Sequence, residues 1–135
     1  IDGKHDINMD NKANALNWFE IAVNDLARAQ KFYETVFRIK MEAMDFPQMQ
    51  MRGFPYDQSS GRVGGALVKS GMHKPSATGA VIYLNGNPDL ADALSRVEMA
   101  GGKVTVPKTQ ITPEIGYMAF FIDTEGNTVA MHSQN

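Results

Sequence analysis

The stretch WFEIAVNDLARAQKFYETVF, residues 18–37, carries two periodicities in one run. Up to Val23 it alternates, with Phe19, Ile21 and Val23 on one face and Trp18, Glu20 and Ala22 on the other. A period of two marks a half-buried strand, predicted over 17–23. Asp25 then offers a short acceptor side chain suited to opening a helix. Beyond it Leu26, Ala29, Phe32, Tyr33, Val36 and Phe37 recur at helical spacing and form an apolar stripe. A strand that feeds directly into an amphipathic helix places that helix on one face of a sheet.

Three more strands are predicted at about 40–46, 48–54 and 63–69, with FPYDQSSGRVGG supplying turn residues before the last. SGMHKPSATG, residues 70–79, reads as a linker, and after it the order repeats. AVIYLN (80–85) is a strand, Asp89 heads a helix through LADALSRVEMA, and Gly101-Gly102 ends it. Strands at about 103–106, 117–122 and 128–132 complete the second half. NDLARA and PDLADAL occupy matching places about 64 residues apart. In DTEGN (123–127) the acids read as turn formers, with Gly126 at positive φ. The fold class is α+β: two βαβββ modules, 15–70 and 80–134, in one domain over 13–135. IDGKHDIN is polar and patternless and Met9 is a natural start, so residues 1–12 are expected to be a disordered leader or residues added for expression.

Composition narrows the function classes. A chain of 135 residues is long enough to bury a core without staples. The net charge of −2 comes with scattered basic residues, so no footprint for nucleic acid or anionic lipid is visible. No window is long enough to span a membrane as a helix. The chain has no cysteine, which excludes disulfides, thiolate nucleophiles and cysteine-ligated zinc. A cytoplasmic location is expected. Gly64-Gly65 precedes a strand and not a helix, so it is no phosphate loop, and no serine sits in a nucleophile elbow.

Three segments, WFEIAVNDLARAQKFYETVF, ALSRVEMAGGKV and FFIDTEGNTVAMHS, resemble in order and spacing the vicinal-oxygen-chelate superfamily. That superfamily includes glyoxalase I, bleomycin-resistance proteins and extradiol dioxygenases. The resemblance covers about residues 15–134 and implies an open, eight-stranded, barrel-like sheet around a concave pocket, with helices outside. It also implies a homodimer, since two-module chains of this kind commonly pair or swap modules.

The superfamily's metal enzymes carry His and Glu ligands on the first and last strands of each module. Carried over by the resemblance, the first module's histidine position falls on Trp18 and its carboxylate position on Ala66 or Val68. The second module's positions fall near Val81 and on Ala130. None of these side chains binds a cation. Of the three histidines, His5 lies in the leader, His73 in the linker and His132 on the Ala130 face. No metal and no cofactor are expected.

With Trp18 inward, parity turns Glu20 inward too, together with Val81, Tyr83, Thr128, Ala130 and His132. Both faces of YMAFFI are apolar; resemblance to the phosphonate-resistance branch turns Phe120 inward. The expected ligand-binding residues are therefore Trp18, Glu20, Tyr83, Phe120 and His132, with no catalytic residue assigned. Glu20 can alternatively pair with Arg52 or Arg62, and His132 with Tyr83. Met41, Met44, Met49 and Met51 read as core filler or as a soft apolar wall. The expected role is metal-free binding of a small organic molecule in an aromatic, partly polar cavity. The alternatives are a divalent-metal lyase of the lactoylglutathione lyase type, a non-enzymatic interaction domain, and metal-free acid/base catalysis by Glu20 and His132.

Overall fold

Why the 18–37 stretch folds as it does is visible in its partners. In the computed structural model, which describes residues 8–135, β1 (Trp18–Ala22) runs into α1 (Leu26–Phe37). The Asp25 side chain accepts the Arg28 N–H at 3.0 Å and so caps α1. The α1 stripe, Leu26, Ala29, Phe32, Tyr33 and Val36, is buried. Leu26, Phe32 and Val36 each contribute roughly 1.5–3 kcal/mol by leaving water. The leader reading of residues 1–12 falls, for positions 1–7, outside the described residues.

The first module continues with β2 (Glu42–Ala43), β3 (Gln50–Gly53) and β4 (Gly64–Lys69). The second comprises β5 (Tyr83–Asn85), α2 (Leu90–Leu94), β6 (Lys103–Thr112), β7 (Gly116–Ile122) and β8 (Thr128–Ser133). The architecture is α+β, with βαβββ twice. Its eight strands form two four-stranded mixed sheets, ordered β1-β4-β3-β2 and β5-β8-β7-β6, which are not closed into a barrel.

Two elements differ in length from the sequence expectation. The predicted helix through LADALSRVEMA is α-helical only over Leu90–Leu94 and then tightens into turns. The Ser95 hydroxyl donates to Asp92 O at 2.6 Å, and bonds such as Arg96 N–H to Ala93 O span three residues. The strand expected at 103–106 extends through Thr112. Pro107 interrupts its alternation, and the ladder to β7 shifts register on both sides of it. Proline is tolerated there because β6 is the outermost strand.

The parallel ladders show how the modules correspond. Ala22 lies opposite Val68, and Asn85 opposite His132. Val23 N–H then donates to Val68 O at 3.0 Å, as Gly86 N–H donates to His132 O at 2.7 Å. Counting back along each strand makes Glu20 the counterpart of Tyr83, Trp18 of Val81, and Ala66 of Ala130.

A single buried cluster joins the modules. Ile21, Val23 and Leu67 of the first share it with Leu84, Phe121, Val129 and Met131 of the second, around α1 and α2. The Phe121 ring packs 5.9 Å from Phe32 and 6.4 Å from Tyr33, centroid to centroid.

The turn acids reach well beyond their own turn. Gly126 does take positive φ, at 91°. Glu125 accepts the backbone N–H groups of Asn24 and Asp25 at 2.9 and 2.8 Å, and Arg28 Nε at 2.7 Å. Burial alone raises a carboxyl's pKa, but the Arg28 hydrogen bond and the two amides outweigh it and lower that of Glu125 to about 2. Asp123 accepts the Tyr33 hydroxyl at 2.6 Å. Burial, reinforced by Asp123, raises the Tyr33 pKa well above its usual value and keeps it a neutral donor. Asn127 Nδ2 donates to Ala22 O at 2.8 Å, so the turn is fastened to both β1 and α1.

Candidate functional site

Each sheet has one face against the helices and one turned away from them. On the first module the turned-away face carries Trp18, Glu20, Ala66, Val68 and Met51. Met51, Ala66 and Val68 form a small buried cluster of their own, with Trp18, Met44 and Met49 packed on it. Three of the four strand-region methionines thus floor this face, while Met41 lies in the main core.

Over that floor stands a polar and aromatic group. Trp18 Nε1–H donates to Glu20 Oε2 at 3.2 Å, and His73 Nε2 lies 2.8 Å from Glu20 Oε1. Glu20 therefore pairs with His73; Arg52 turns instead to Gln30 and Asp45. The Tyr56 ring meets Trp18 edge to face, with centroids 5.8 Å apart. Gly64 makes room for it, since a Cβ there would lie 2.5 Å from Tyr56 Cδ1.

On the second module the corresponding face carries Tyr83, Phe120, Ala130 and His132. Tyr83 and Phe120 meet edge to face at 5.7 Å. His132 donates from Nε2 to Ile115 O at 2.6 Å, and not to Tyr83.

The five expected ligand-binding residues thus fall into two groups, Trp18 with Glu20, and Tyr83 with Phe120 and His132. Two clefts among the described residues are lined by both modules and draw on only Tyr83 and Glu20 of these five. One, of about 450 Å³, is lined by Phe19, Phe37, Phe54, Ile82 and Tyr83 among others. The other, of about 160 Å³, is lined by Glu20, Lys74, Ile82, Asn127 and Thr128 among others.

With this geometry in view, comparison with known proteins is informative. The family model for the Glyoxalase/Bleomycin resistance protein/Dioxygenase superfamily matches residues 15–131. The chain belongs to this superfamily. A "Glyoxylase-like domain-containing protein" of Didymella fabae is 30% identical over 119 residues, 86% of this chain and 91% of that one. Among solved structures, TnmS3, an antibiotic binding protein from Streptomyces sp. CB03234, matches with TM-score 0.63 at 17% identity, over 90% of this chain and 97% of that chain. Glyoxalase I from Zea mays matches with TM-score 0.64 at 19% identity, over 87% of this chain but only 44% of that chain. The chain thus spans less than half the length of the maize enzyme.

As a glyoxalase-superfamily protein, this chain has donor chemistry that does not fit a divalent cation at the expected positions. The ladders pair Ala66 with Ala130 as equivalents, so the two positions that the resemblance assigns to carboxylates both fall on methyl groups. Indole and isopropyl groups stand at Trp18 and Val81. Among the described residues, no group of three His, Asp or Glu side chains is placed to share a metal ion.

Two members of the first group, Tyr56 and His73, were not among the sequence candidates. Tyr56 sits among turn-forming residues, and its only sequence signal is the glycine it covers. Replacing Gly64 by valine is expected to expel the Tyr56 ring. The chain has one tryptophan, so the loss of that cover should appear as a red shift of Trp18 fluorescence. Unchanged emission from folded protein would contradict this packing.

Proposed function

We propose that this protein binds a small organic molecule against the Trp18–Tyr56–Glu20 face, without a metal. The carrying observation is the combination on one surface of two aromatic rings, a carboxylate and a methionine-rich floor, with a methyl group at Ala66. Aromatic rings give a ligand large contact area with little loss of side-chain freedom, and methionine adapts to varied apolar shapes. The same fold serves an antibiotic binding protein, which supports a role in sequestration or carriage. Tyr83, Phe120 and His132 supply the second wall. In this reading a second copy of the chain brings that wall opposite the first, and sedimentation should report a homodimer.

A metabolite screen by thermal shift tests the proposal. Trp18→Ala and Tyr83→Ala are each expected to weaken a ligand found with the wild type by about ten- to a hundredfold, as loss of an aromatic anchor does. Retention of the wild-type shift in both variants would overturn the site. Near-stoichiometric nickel, zinc, iron or manganese in untagged protein would instead favour a metal-dependent lyase.

A further inference from the structure

Ser70, the first residue beyond β4, is joined to His73 and Glu20 in one line of hydrogen bonds. Ser70 Oγ lies 2.6 Å from His73 Nδ1, and His73 Nε2 lies 2.8 Å from Glu20 Oε1. Met72 N–H donates to Ser70 Oγ at 3.0 Å, which occupies a lone pair and leaves the hydroxyl proton free to point at Nδ1. Nδ1 is then the acceptor, and Nε2 carries the ring proton towards Glu20. The second oxygen of Glu20 is held by Trp18 Nε1–H. A hydroxyl, an imidazole aimed at its proton and a carboxylate orienting that imidazole make up the arrangement that activates a serine.

Ser70 is half-buried, with open space beside it at Gly71. A Cβ added at the neighbouring Gly71 would meet nothing within 4 Å. Ser70 also walls a surface groove of about 580 Å³, where Phe46, Pro47 and Met49 offer apolar contact between the charged Asp45 and Lys69.

We propose that Ser70 is an acyl-accepting nucleophile for esters of small, apolar carboxylic acids, with His73 as its base and Glu20 as the positioning carboxylate. A bond forms between Ser70 Oγ and the ester carbonyl carbon while the hydroxyl proton passes to His73 Nδ1. The bond from that carbon to the alcohol oxygen then breaks, and the departing oxygen takes the proton from His73. Water repeats the exchange, releasing the carboxylic acid and restoring the serine. Between the two transfers the imidazolium is faced by Glu20. This activity goes beyond ligand binding and uses the groove beside β3, not the Tyr56 side of the face.

Exposure of the full chain to an alkyl fluorophosphonate, followed by peptide mass mapping, tests the assignment. The wild type is expected to carry a single adduct on Ser70, and His73→Gln to form it at least about a hundredfold more slowly, the range for a lost general base. Absence of a Ser70 adduct in the wild type would overturn the proposal. So would His73→Gln labelling at the wild-type rate. Ligand-induced thermal shifts that depend on Trp18 are a separate readout, so failure of one reading leaves the other distinguishable.

Discussion

Glu125→Ala is expected to lower the unfolding free energy by about 3 kcal/mol, through loss of a charge-assisted hydrogen-bond cluster and two orphaned backbone donors. Those donors are the amides of Asn24 and Asp25 at the mouth of α1, and the same carboxylate also holds Arg28. The Glu125 side chain is fully buried whereas that of Arg28 is 51% exposed, so the cost comes mainly from the amides. Urea titration should show a lower midpoint at unchanged slope. Acid supplies a second arm. The Glu125 pKa is lowered from 4.5 to about 2, so its contribution is complete above about pH 4.5 and is lost as the pH falls towards 2. The stability gap between wild type and Glu125→Gln should therefore narrow across that window. A gap that is constant from pH 6 to pH 2 would contradict the role given to the charge.

Phe121→Ala should be at least as costly, at about 3–5 kcal/mol. The ring is fully buried and lies where the second module's β7 meets Phe32 and Tyr33 of the first module's helix. Removing it leaves a cavity between the modules, walled by two rings whose positions are fixed on α1. Differential scanning calorimetry is expected to show a much lower Tm with a single transition, because both modules share one core. Two separate transitions would indicate that the modules fold independently.

The parts of this fold legible in the sequence are those where a local period meets a local cap. The strand–helix passage at 18–37 is one, because its alternation, Asp25 and the apolar stripe all lie within one window. Placement of Trp18 and Glu20 on one face, and of Phe19 and Ile21 on the other, followed from the same alternation. Alternation failed to reveal the full length of β6, because Pro107 and the polar residues after it interrupt the pattern while the outermost ladder continues. It also gave no hint that α2 would tighten at Ser95, where a hydroxyl competes for a helix carbonyl.

The site was only partly legible for a different reason. His73 meets Glu20 across 53 residues, from a linker with no periodic pattern to assign it a face. Glu125 reaches α1 across about 100 residues, although its own pentapeptide reads as an ordinary turn. Such contacts depend on where the modules settle against each other, which a local window does not contain. Trp18 and Ala130 are placed at the superfamily's cation positions by the resemblance, which rests on motifs spread along nearly the whole chain. The ladder register then makes Ala66, and not Val68, the equivalent of Ala130.

The long outer strand of the second sheet has a bearing on solubility. Ten residues of exposed backbone at a border would ordinarily invite a strand from another chain to add laterally, the first step towards fibrils. Along Lys103–Thr112 such an intruder meets a position with no donor at Pro107, two lysines, and a spacing that breaks step on either side of the proline. Propagation should stall within a few residues, so the same irregularities that disguised this strand in the sequence protect the protein from polymerising through it.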